Sequence, residues 1–152
     1  MKPNSTVKEQ SLNPHPAGRA ETENSSAGEL DDRILAALQA STDKKAVDPV
    51  ILDLREIASF TDYFLIVSGT NERQVQAIAD EVYDSLKKTG SAAARVEGHK
   101  TAEWILLDYG DFVVHVFEQK ARRFYDLERL WRESKRVELP AQFTQGSLRT
   151  ES

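Results

Sequence analysis

The chain has 152 residues, a formal net charge of −5 and an apolar fraction of 39%, which fits one domain with tails and argues against broad, non-specific binding to nucleic acid. It has no cysteine, which excludes disulfides, thiolate-bound zinc and a thiol nucleophile. No apolar run approaches the roughly 20 residues needed to span a bilayer.

Residues 1 to about 27 are rich in Pro, Ser, Asn and Glu and almost devoid of large apolar side chains. They cannot bury enough surface to offset the entropy of ordering and are expected to be disordered. Nothing after Lys2 forms the apolar block of a secretory signal. Arg19 is the only arginine in the first 28 residues, and Glu9, Glu21 and Glu23 dilute the positive charge an organelle transit peptide needs. The cytoplasm is the expected compartment.

The folded part is expected over residues 28–136. Ser26 to Glu29 has the spacing of a helix capping box. Leu30, Ile34 and Leu38 then recur four apart, which predicts a helix to about Ala40. Lys44, Lys45 and Asp48-Pro49 form the exit loop. Val50–Leu54 and Tyr63–Val67 read as strands, the second apolar enough to be covered on both faces. Ser68-Gly69-Thr70 is a turn, and Asn71 caps the next helix. Val75, Ile78, Ala79, Val82 and Leu86 make its apolar stripe, and Gly90 stops it. Ala92–Val96 is a short strand. A hairpin follows within Glu103–Phe117, and then a helix from about Gln119 to Ser134 with Phe124, Leu127, Leu130 and Trp131 on one side. Residues 137–152 are expected to be a flexible tail. The order predicts an α/β fold with a mixed sheet of about five strands and flanking helices.

The hairpin is the most informative stretch. With Tyr109 and Gly110 at its tip, Asp108 faces Asp111 and Trp104 lies across from His115. Trp104, Leu106, Val113, His115 and Phe117 then share one face. Ile105, Leu107, Phe112, Val114 and Val116 share the other. A sheet with one solvated face alternates apolar and polar residues. This one does not, so its second face must be covered by more of the chain or by a partner. Tyr109 is expected to be exposed: a type I′ turn takes Asn or Asp before the glycine, so local turn preference does not explain a tyrosine. A ring folded back over Leu107 or Phe112 is the other reading.

Catalytic patterns are weak. The Ser68 turn before a helix suits an anion, yet the chain has no GxxxxGK[ST] and no GxGxxG. Small mixed α/β domains of this kind resemble nucleotidyltransferases, which hold two metal ions on closely spaced strand carboxylates. Here Asp80, Glu81 and Asp84 fall at helical spacing, Asp53 stands alone, and Asp108 and Asp111 flank a turn. His15, His99 and His115 are too scattered for a metal site, and His115 reads as packed and hydrogen-bonded. No serine has an evident base beside it. From Lys120 to Arg136 seven cations face three anions, a local charge of +4. That suits either a solvated helix face or an edge near a phosphate-rich partner.

An ordered set of short stretches over residues 30 to 135 resembles the ribosomal silencing factor family, also called RsfS or Iojap-like. They include Thr61-Asp62-Tyr63-Phe64, Ser68-Gly69-Thr70 with Arg73-Gln74-Val75, Ala102-Glu103-Trp104, Leu107-Asp108-Tyr109-Gly110-Asp111, Val114-His115-Val116 and Arg123-Phe124-Tyr125. The resemblance implies a nucleotidyltransferase-like fold without the catalytic acids, and no catalytic residue, metal or cofactor. It implies binding to the large ribosomal subunit through its protein numbered fourteen. That contact would block joining with the small subunit and repress translation when nutrients are scarce. Homodimers, no membrane and at most peripheral contact with ribosomal RNA belong to the same expectation. The partner contact it implies comprises Trp104, Leu106, Asp108 and Tyr109, with Lys100, Lys120 and Arg123 as additions. The rival reading is a nucleotide-handling transferase using Asp108, Asp111 and the Ser68 turn.

Overall fold

In the computed structural model, which describes residues 30–143, the first helix, α1 (Asp32–Asp43), starts at Asp31, whose carboxylate accepts from the Arg33 backbone N–H at 2.8 Å. The Ser26–Glu29 capping box and the disorder expected for residues 1–27 lie outside the described residues. Strand β1 (Val47–Asp53) begins earlier than Val50, because its register shifts between Val47 and Val50. That bulge holds Asp48 and Pro49, with Asp48 at φ 51°. A proline is tolerated at such a bulge because the ladder is already interrupted there. Strand β2 (Tyr63–Gly69) is buried along its whole length. Helix α2 (Glu72–Lys88) has the expected cap, Asn71 Oδ1 accepting from Gln74 N at 2.8 Å.

Strands β3 (Arg95–Glu97), β4 (Trp104–Asp108) and β5 (Phe112–Glu118) follow. After them come α3 (Gln119–Tyr125), α4 (Leu127–Leu130) and a two-residue strand, β6 (Lys135–Arg136). The sheet has six strands in the order β3-β4-β5-β2-β1-β6, one more than expected. Only β2 and β5 run parallel; the other pairs are antiparallel. The fold is mixed α/β, as the element order predicts.

Two helices cover one face of the sheet. Ile34 and Leu38 of α1 and Val75, Ile78, Val82 and Leu86 of α2 bury Ile51, Leu65, Val67, Ile105, Leu107, Val114 and Val116. The opposite face carries Leu52, Phe64, Ile66, Val113 and Phe117 beneath Leu127, with Trp104, Leu106, Ala121 and Trp131 only partly buried around them. One side of the sheet thus has a full helical layer, and the other has a thin one. Apolar strands on both faces follow from this arrangement.

Three expectations need correction. First, the hairpin closes one step later: Tyr109 N donates to Phe112 O at 2.9 Å, so Gly110 and Asp111 form the tip. Gly110 supplies the positive φ of 86° that the turn needs, and Asp108 Oδ1 accepts from its N–H at 2.8 Å. Trp104 therefore opposes Phe117, Leu106 opposes His115, and Asp108 opposes Val113. Moving the tip by one residue shifts the pairing by two, so both faces keep the expected membership. Second, the long final helix is broken at Asp126, which lies in the left-handed region at φ 49°, ψ 56°. Aspartate tolerates that region because its short side chain can bond locally. The break splits the expected stripe: Leu127 is buried, but Phe124 and Leu130 are 79% and 70% exposed. Third, Val137 and Phe143 join the core, and Val137 N donates to Ile51 O at 2.9 Å. A tail starting at 137 is therefore wrong for residues 137–143; the rest of it lies outside the described residues.

Candidate partner-binding face

Strand alternation puts Trp104, Leu106 and Asp108 in one row on the thinly covered face. The row starts at a constrained loop. Gly98 has φ 83°, and a Cβ there would run into the Trp104 carbonyl oxygen. Ala102, at φ 56°, donates its N–H to Gly98 O at 2.9 Å. His99 Nε2 lies 2.9 Å from Asp80 Oδ1, and Gln76 donates to His99 O at 2.8 Å, which ties the loop to α2. Lys100 is exposed on this loop.

Trp104 stacks on Phe117 at 4.9 Å between ring centroids and touches Tyr125 at the same distance. Its indole N–H donates to His115 Nδ1 at 3.0 Å. From there aromatic rings continue across the sheet. His115 meets Phe64 edge-on at 4.3 Å, Phe64 meets Trp131 at 5.9 Å, and Trp131 meets Phe60 at 5.9 Å. Phe60 is 60% exposed. The result is an apolar aromatic band, half-open to solvent, running from β4 to the loop before β2.

His115 is buried, and burial pushes its pKa from the ordinary 6.5 down to about 3. Such a ring is neutral in the folded protein and charges more readily once unfolded. The folded pKa is depressed, so the protein gains this stability in full only above about pH 6.5. It loses it as the pH falls toward about 3. At pH 5 the loss amounts to about 2 kcal/mol. Arg33 lowers the pKa of Asp31, and the Arg122 hydrogen bond and charge lower that of Glu128 against the effect of burial. Both give up their stabilisation as the pH falls through and below the ordinary carboxylate values of 3.8 and 4.5, beneath the window between pH 6.5 and 5 in which the His115 effect develops. Urea unfolding at pH 7 and pH 5 should show this drop in the parent and little of it in His115→Phe; an equal drop in both contradicts the assignment.

The other candidate residues are not all gathered here. Tyr109 faces the opposite side, is 9% exposed and stacks on Phe112 at 4.9 Å with an interplanar angle of 14°. Its expected exposure at the tip is therefore wrong, and the folded-back ring is the correct reading. The cause is the later hairpin closure, which leaves Tyr109 in the strand alternation with Ile105 and Leu107. Asp108 is half-buried, spends Oδ1 on the turn, and holds Arg95 at 3.5 Å through Oδ2. Lys120 is exposed on the first turn of α3. Arg123 lines a cavity of about 570 Å³ with Asp48, Ser68, Arg122 and Arg136, at the carboxyl end of β2.

The sequence reading missed Phe60 and the closing of the band by Trp131. Phe60 sits in an irregular loop where no period of 2 or 3.6 marks it. Its only signal is a bulky apolar residue between two polar ones, Ser59 and Thr61.

Residues for the rival transferase are not assembled. Ser68 pairs with Phe117, whereas Asp111 adjoins the Tyr63–Phe112 pair. Five residues of strand separate those ends, roughly 17 Å. Ser68 Oγ is held by Arg122 at 2.9 Å, Asp111 by Arg33 at 2.9 Å, and Asp53 by Arg55 at 2.8 Å. Among the described residues no helix is long and apolar enough to cross a membrane.

A family model described as RsfS, ribosomal silencing factor during starvation, matches residues 27–152. A protein named ribosomal silencing factor RsfS from Halalkalibacterium halodurans is 45% identical over 103 residues, covering 68% of this chain and 88% of the relative. The protein of that name from Bacillus subtilis is 45% identical over 95 residues, covering 62% and 80%. The chloroplastic protein Iojap of Zea mays is 34% identical over 102 residues, covering 67% of this chain and 44% of that one. A crystal structure from Bacillus halodurans superposes with a TM-score of 0.64 at 42% identity, covering 71% of this chain and 98% of the other. One from Chromobacterium violaceum gives 0.65 at 35% identity, covering 72% and 88%.

Proposed function

The chain belongs to the ribosomal silencing factor family, and we propose that it binds the free large ribosomal subunit through that subunit's protein numbered fourteen and sterically blocks joining with the small subunit, repressing translation when nutrients are scarce. The observation that carries this reading is the Trp104–Leu106 row on a sheet face that the helices among the described residues cover only thinly. A contiguous patch of large apolar and aromatic side chains open to solvent marks a protein contact. A half-buried tryptophan set among aromatic rings fits the usual anchor of such a contact.

Steric silencing needs no catalytic group. The protein has only to bind the free subunit and be incompatible with the joined ribosome, so its effect follows affinity and concentration. Action in the cytoplasm without enzymatic turnover is part of the proposal. Contact with ribosomal RNA is peripheral in this reading, because the chain carries a net charge of −5 and its excess of cations is local. Self-association as a homodimer, which the resemblance implies for some members, is compatible with it and not required by it.

Sedimentation through a sucrose cushion with purified subunits tests the binding step. The protein should travel with free large subunits, saturate near one equivalent, and stay behind with small subunits and joined ribosomes. Equal recovery with joined ribosomes would overturn the steric mechanism.

A further inference from the structure

We propose that His115 is a positioning residue: its Nδ1 holds the Trp104 indole in the orientation that the ring presents to the partner. This deepens the function proposed above and rests on Trp104 being part of the partner contact.

Indole N–H is a donor only, and it needs an acceptor when its ring is packed. Trp104 finds it in His115 Nδ1 at 3.0 Å. Stacking on Phe117 and contact with Tyr125 restrict the tilt of the indole. Stacking has no donor–acceptor direction, so by itself it does not set where the indole N–H points. The hydrogen bond makes that choice. Its acceptor is itself packed: His115 is 4% exposed and meets Phe64 edge-on at 4.3 Å.

The chemistry of the imidazole supports the same assignment. Accepting at Nδ1 places the ring proton on Nε2, and Nε2 has no hydrogen-bond partner among the described residues. A buried polar atom without a partner costs stability. Between Phe112 and Phe117 every other side chain is apolar, and a leucine or phenylalanine at 115 would avoid that cost. Among the described residues the bond to Trp104 is therefore the one hydrogen bond in which the polar ring outperforms an apolar one. It links a buried strand residue to the side chain that opens the half-exposed band.

Four single variants and the double variant of His115→Phe with Trp104→Phe test this: His115→Phe keeps a ring without the acceptor, His115→Gln restores an acceptor, Trp104→Phe keeps a ring without the donor, and Trp104→Ala removes the ring. Two quantities are read on the full chain, affinity for free large subunits and the indole N–H resonance of Trp104, assigned by its loss in Trp104→Phe. His115→Phe should move and broaden that resonance and weaken binding about five- to tenfold, the scale of one hydrogen bond that orients an anchor. His115→Gln should recover most of both. Trp104→Phe should match His115→Phe in affinity, and the double variant should bind no worse than Trp104→Phe. Where phenylalanine at 115 disturbs the fold, His115→Leu, which also lacks the acceptor, replaces it in the cycle. Unchanged affinity in His115→Phe, with Trp104→Ala clearly weakened, overturns the positioning role and leaves the binding face intact. An additional loss from His115→Phe on top of Trp104→Phe also overturns it, since His115 would then act independently of the bond. Wild-type affinity in Trp104→Ala would remove the binding face itself, and the positioning role with it.

Discussion

Tyr109→Ala should destabilise the protein by about 3–5 kcal/mol, the range for deleting a buried aromatic ring. The ring is 9% exposed, stacked on Phe112, and belongs to the core beneath α1 and α2. Arg33 closes the site from outside, with its guanidinium 5.2 Å from the Phe112 centroid and 2.9 Å from Asp111. Removing the ring would leave a cavity under a packed hairpin end. Tyr109→Phe should behave differently. The hydroxyl has no hydrogen-bond partner among the described residues, and burial, with Tyr83 nearby, pushes its pKa up to about 12. Deleting an unpaired buried hydroxyl is neutral or stabilising by up to about 1 kcal/mol. Urea unfolding of both variants checks the pair. A small effect of Tyr109→Ala on stability, combined with a large loss of ribosome binding, would return Tyr109 to the partner surface.

Trp104→Ala should show the opposite balance. Loss of a central interface tryptophan weakens binding by at least about 2 kcal/mol, roughly 30-fold. Trp104 is only partly buried, so its stability cost should be about 1–2 kcal/mol, short of the 3–5 expected for a fully buried ring. Affinity for free large subunits and the urea midpoint, measured on one preparation, separate the two effects. A loss of more than about 3 kcal/mol in stability, with unchanged binding per folded molecule, would make Trp104 a core residue.

These two residues show what the sequence could and could not convey. Side-chain alternation is a property of the strand itself, so the face shared by Trp104, Leu106, Val113, His115 and Phe117 was legible from their spacing. Helix α2 was equally legible, because Asn71, the apolar stripe and Gly90 agree on its ends. The hairpin tip was not. Both Tyr109-Gly110 and Gly110-Asp111 place a glycine in the turn, and the two closures differ by an even step that preserves every face. The tip decides the cross-strand pairs and the fate of Tyr109, and there the expectation failed. Asp126 hid the break between α3 and α4 for a related reason. A non-glycine residue rarely takes the left-handed region, and Phe124, Leu127 and Leu130 carry a plausible helical spacing through it. Strand β6 is two residues long and pairs only with Leu52 and Asp53, too little to leave a period. Phe60 lies in a loop and reaches the aromatic band only through tertiary contact with Phe64 and Trp131.

Silencing by occlusion is tested most directly by following light scattering as purified large and small subunits are mixed. For large subunits incubated first with the protein, joining should fall linearly with the amount added and be nearly abolished at about one equivalent, and Trp104→Ala should restore it at the same concentration. Joining that proceeds at its normal rate and extent when the protein saturates the large subunit would contradict the mechanism.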